Sequence, residues 1–135
     1  MLFSKILIAS LLLFGTGMGT LEFIESEEQQ HASFVGTYTG MFSGSPIEIR
    51  LEKVADGKAS GYNVHKKLKR PISGYYMPVP NASFYKFVLQ EPGDNEYDGS
   101  FELLIDSVQL NGEGTWVPKT GSKLKPVPFD FMRKK

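Results

Sequence analysis

From Phe34 onward the side chains alternate in character with a period of two. No other feature limits the fold as strongly. In "PIEIRLEKV" Ile47, Ile49 and Leu51 alternate with Glu48, Arg50 and Glu52. A strand turns successive side chains to opposite faces, so this run has one buried face and one wet face. The same spacing recurs at Tyr85, Phe87, Leu89, at Phe101, Leu103, Ile105, and at Val127, Phe129, Phe131. No segment after residue 34 carries a helical stripe. Turn-forming residues separate the runs: Ser43 to Pro46, Asp56-Gly57, Pro78 to Asn81, Pro92 to Asp94, and Lys119 to Ser122.

The runs predict eight strands, at 34–42, 46–54, 59–67, 70–77, 83–91, 99–106, 108–117 and 124–132. Short connections favour antiparallel pairing of consecutive strands. The expected fold is all-β: an up-and-down meander closing into an eight-stranded barrel, which leaves no exposed edge. A barrel of that size holds packed side chains or one small ligand. Two readings compete before the seventh strand. Asn111-Gly112 would suit a hairpin turn. Alternatively Asp106-Ser107 turns the chain, and Gly112 and Gly114 lie in a bending strand. The shared parity of Leu110, Gly112, Gly114 and Trp116 favours the second.

The first nineteen residues differ from the rest. Lys5 precedes an apolar run from Ile6 to Phe14, and Gly15, Gly17 and Gly19 follow. That order matches a secretory signal peptide cleaved near Gly19. The run is shorter than the roughly 20 residues of a spanning helix. A buried N-terminal element is the alternative. Residues 20–33 form a polar leader with four glutamates, and 34–135 form the barrel domain. The chain has no cysteine. Exported eukaryotic domains of this size usually carry disulfides, so the expected setting is secreted or periplasmic in a bacterium. The sequon Asn81-Ala82-Ser83 then carries no meaning.

The domain has 14 Lys/Arg against 11 Asp/Glu, a net +3. A nucleic-acid binder would show a stronger, clustered excess. The one basic cluster, His65 to Pro71, is expected as a solvated hairpin tip. Asp94 to Gly99 fits the first six places of a calcium loop. Ile105 stands where the bidentate Glu belongs, and the flanks are strands. A turn is therefore expected, with Gly99 supplying a positive φ.

Catalytic signatures are lacking: only His31 and His65, no nucleophile elbow, no phosphate loop, no zinc spacing. No catalytic residue, metal or cofactor is expected. Glu48 and Glu52 sit on a wet strand face.

The six tyrosines and the single tryptophan are more telling. Inward tyrosines need a partner for the hydroxyl, and they fill a core or line a pocket. "GTY" at 36–38 and "GTW" at 114–116 open or cross strands of the meander. A Gly-x-aromatic opening before an eight-strand meander resembles the calycin group, the lipocalins and avidins. That resemblance implies an aromatic plug in the barrel floor and a ligand in or at the mouth. Tyr38 stands where lipocalins place tryptophan. "SGYY" at 73–76 also resembles the inhibitory loop of bacterial periplasmic lysozyme inhibitors, with Met77 where the motif has tyrosine.

Two functions are therefore expected to compete. One is a non-catalytic module holding a small aromatic or apolar ligand. The other is a protein-interaction barrel, inhibitor-like or part of the envelope. For the first, Tyr62, Tyr75, Arg70 and Trp116 are the expected ligand-binding residues. An open interior lined by Tyr62, Tyr75 and Trp116 favours the first function. An interior packed by Phe87, Leu89, Phe101, Leu103 and Phe129 favours the second.

Overall fold

The computed structural model describes His31 and residues 33–135. The expected signal peptide and most of the polar leader lie outside the described residues. Eight strands run in order: β1 Gly36–Phe42, β2 Ser45–Ala55, β3 Lys58–His65, β4 Leu68–Pro78, β5 Phe84–Gln90, β6 Gly99–Asp106, β7 Asn111–Pro118 and β8 Val127–Arg133. Each pairs antiparallel with the next, and β8 returns to β1 through Gly40 opposite Phe131. The sheet is therefore a closed all-β barrel, as the alternation predicts. Among the described residues no helix is long and apolar enough to cross a membrane.

One side of every strand fills the interior. Ile47, Ile49 and Leu51 face in from β2, and Phe101, Leu103 and Ile105 from β6. On β2 the inward positions then jump from Leu51 to Val54. The cause is a bulge between Leu51 and Lys53 in the pairing with β3. An extra residue bends the strand and raises its twist, which helps a sheet curl on itself.

The connections alternate between two ends. At one end lie residues 34–35, the Asp56-Gly57 turn, the 79–83 loop and the 107–110 turn. At the other lie Ser43-Gly44, Lys66-Lys67, the 91–98 loop and the 119–126 loop. Three of these turns are tight two-residue hairpins with positive φ at both positions, including Lys66 at 52° and Lys67 at 67°. The β3–β4 turn thus falls at 66–67, earlier than the alternation suggested. Strand β7 begins at 111 rather than 108, and β8 at 127 rather than 124. Before β7 the chain turns at Asp106, as the parity argument favoured. Asp106 Oδ1 accepts N–H bonds from Val108 (2.8 Å) and Gln109 (2.9 Å). These bonds, Gln109's first, hold the Asp106 carboxyl below the usual aspartate range.

The first end is filled. Phe34 is wholly buried, edge-on to Tyr85 and Phe87 with ring centroids 5.2 Å away in each case. Tyr76 stacks on Phe87 at 5.2 Å. Tyr38 donates its hydroxyl to the Phe34 carbonyl at 2.7 Å and meets Phe131 edge-on. The aromatic of "GTY" therefore does sit in a barrel floor. "SGYY" lies in mid-strand: Ser73 pairs with Ser60 on one side and Gln90 on the other. That segment is not a projecting loop, so the likeness to the inhibitor loop stops at composition.

Candidate functional site: the open end of the barrel

Toward the second end the interior is only partly filled. A cavity of about 650 Å³ opens there. Its apolar wall comes from Phe42, Ile47, Phe101, Trp116 and Val127. Phe42, the last residue of β1, stands among the rings. It lies edge-on to Trp116 at 6.1 Å, to Phe129 at 5.6 Å and to His65 at 4.8 Å. Its volume falls within the range of small-molecule sites.

A polar network closes one side. On β3 and β4 the inward parity passes from Ala59 and Ile72 to Asn63 and Arg70, which are direct cross-strand partners. Arg70 forks onto Asp98: Nε donates to Oδ1 at 3.2 Å and Nη2 to Oδ2 at 2.6 Å. Nη2 also reaches Asp94 at 2.6 Å. Asp98 is 3% exposed, and the guanidinium supplies the charge that lets it stay buried. The bond to Asp98, then that to Asp94, raises the Arg70 pKa further above its ordinary value. Arg70 in turn holds the Asp94 carboxyl below the usual range.

Glu91, just past β5, joins three other strands. It accepts Trp116 Nε1–H at 3.1 Å, Gly99 N–H at 2.9 Å and Asn63 Nδ2–H at 3.2 Å. The indole plane is therefore fixed from β5, not by its own strand. Gly99 completes the fit. A Cβ on it would come within 2.9 Å of the Trp116 ring. The expected reason for this glycine is corrected: Gly99 is not among the positive-φ glycines, whereas Gly93 is, at 86°. The 91–98 loop folds as a turn whose carboxylates Asp94 and Asp98 point at Arg70. Among the described residues no group of three acidic or histidine side chains is set to hold a metal.

Of the four expected site residues, the barrel brings two together. Arg70 and Trp116 both line the cavity. Tyr62 and Tyr75 do not. Strand alternation gives the inner face to Asn63 and Tyr76, which turns Tyr62 and Tyr75 outward. Tyr75 is 49% exposed, and Tyr62 carries Lys69 Nζ 4.1 Å over its ring on the outer surface. They flank one hairpin in sequence but share no pocket with Trp116. The basic cluster divides likewise. Lys66, Lys67 and Lys69 are all exposed, but of these only Lys66 joins His65 and Arg70 in lining the cavity. Asn63, Glu91 and Phe42 were missed. The signal for Asn63 and Arg70 was available, since both share parity with buried residues of their strands. Glu91 had none, because its role depends on which strand ends meet.

Comparison of this chain with protein-family models, with curated proteins and with solved structures finds no match.

Proposed function

We propose that the chain is an exported, non-catalytic binding module that takes a small aromatic or apolar molecule into the open half of its barrel. The observation that carries it is the contrast within one interior: a floor closed by Phe34 and Tyr38, and above it a cavity of about 650 Å³ walled by Phe42, Phe101 and Trp116. Pockets that bind small molecules combine such an apolar wall with a few convergent polar groups. The closed eight-stranded meander is consistent with a calycin-like barrel, and kinship with lipocalins or avidins is part of the same proposal.

Native mass spectrometry of protein purified from its own host tests the proposal. A small-molecule adduct is expected, absent in a Val127→Phe variant that places a ring against Trp116. An adduct retained in that variant would put the ligand elsewhere. N-terminal sequencing tests export; a mature chain that keeps residues 1–19 would refute it.

One observation favours the second function, a protein-interaction barrel. Tyr75, Met77 and Phe84 are exposed on the outer faces of neighbouring strands β4 and β5. The same spectrum would then show a protein adduct, lost on Met77→Lys.

A further inference from the structure

The polar groups around the cavity divide by what they still offer. The acceptors are engaged. Glu91 receives three N–H groups, Asp98 receives Arg70 and the Gly93 N–H, and Asp94 receives Arg70. The cations are not fully engaged. Lys66 and Lys125 line the cavity, and neither makes an ion pair or hydrogen bond with a described residue. Arg70 is the exception: its Nε and Nη2 bond the Asp98 and Asp94 carboxylates, which match its charge. The Nε2 atom of His65, another wall residue, is buried and has no hydrogen-bond partner among the described residues.

Backbone conformation adds a second observation. Lys66 and Lys67 hold φ at 52° and 67° in a two-residue turn. The other two such turns place glycine second, in Ser43-Gly44 and Asp56-Gly57. Asn-Gly would hold this geometry with less strain. Strain kept at a site is a reason to look for function there, and Lys66 is the turn residue that faces the cavity.

We propose that the ligand is amphipathic: an apolar or aromatic body against Phe42, Phe101 and Trp116, and one anionic head directed at Lys66 and Lys125. This rests on the binding function proposed above and names its ligand class. Lys66 and Lys125 are exposed at the rim of the cavity, so a neutral apolar ligand leaves them in water and gains nothing from them, whereas an anionic head gains a charge-assisted contact. A small anion alone would leave the apolar wall wet. A carboxylate, sulfonate or phosphate on an apolar body satisfies both.

A matched pair of dyes tests the head group on the full chain. 1-Anilinonaphthalene-8-sulfonate and N-phenyl-1-naphthylamine share their rings and differ by the sulfonate. Energy transfer from Trp116, the single tryptophan, reports binding of each. The sulfonate dye is expected to bind about tenfold more tightly, the scale of one charge-assisted contact. The double variant Lys66→Asn, Lys125→Gln should remove that preference and leave the neutral dye unaffected; asparagine tolerates positive φ. Its circular dichroism verifies the fold. Displacement by dodecanoate and by dodecyl phosphate, against dodecanol, separates a carboxylate head from a phosphate one. Equal or tighter binding of the neutral dye would overturn the anionic head while leaving the binding module standing. A sulfonate preference that survives in the double variant would also overturn it. If neither dye binds, or if Val127→Phe alters neither, the binding module fails as well.

Discussion

The same eight strands form a filled end and an open end, and the two use polar groups differently. At the filled end Tyr38 donates its hydroxyl to the Phe34 carbonyl, and the remaining contacts there are largely between rings. At the open end Asn63, Arg70, Glu91 and Asp98 replace apolar residues at inward or near-inward positions. Ring packing at the first end excludes water without needing exact partners. The network at the second is directional, so it fixes shape. It sets the plane of Trp116 and docks the 91–98 loop, but buried polar groups contribute little net stability compared with apolar ones. Stability should therefore reside mainly at the floor and recognition mainly at the mouth.

The sharpest way to break that division is a pair of truncations. Phe87→Ala, at the floor, should cost about 3–5 kcal/mol in urea unfolding. Leu124→Ala, at the rim, should cost less than about 0.5 kcal/mol. Comparable losses would show that the mouth carries stability too.

The next effect is alkaline. Burial pushes the Tyr38 hydroxyl up to about 12 from 10.0, against an opposing pull from Arg133. The folded chain holds this proton more tightly than the unfolded chain. Stability is therefore complete below pH 10 and falls as the pH rises toward about 12, by roughly 2–3 kcal/mol. Unfolding curves across that range should show the decline, and Tyr38→Phe should flatten it. A wild-type profile no steeper than that of the variant would show that Tyr38 is not the group responsible.

At the mouth, Lys67→Gly should raise stability by about 1 kcal/mol by relieving a left-handed φ. Dye binding should not change, because Lys67 lies outside the cavity wall. Weakened binding would extend the site to the whole turn. The smallest effect is local. Asp94 is depressed below 3.8 by Arg70, so its contribution is present above that value and is lost as pH falls through the lower folded one. Amide exchange in residues 93–98 should quicken on acidification before the floor responds. Simultaneous loosening of Phe34 and Tyr38 would argue against separate ends.

The pattern of residues along the chain determined the barrel. A period of two in the four clearest runs, with turn residues dividing the chain into eight segments, admits few closed arrangements, because each strand must bury one face and pair both edges. Turn chemistry also placed the Asp106 corner before β7, since a carboxylate can satisfy backbone N–H groups two and three residues on. Asn63 and Arg70 were legible as inward by parity, although Tyr62 and Tyr75 drew attention through their size. The two ends could not be told apart from sequence. Whether Phe34 fills a floor, whether Glu91 reaches Trp116 twenty-five residues away, and whether Asp98 meets Arg70 or a metal all depend on register across strands. Alternation assigns a side chain to a face. Closure of the sheet decides its height along the barrel and its neighbours, and only those neighbours separate a packed core from a cavity with cations in its wall.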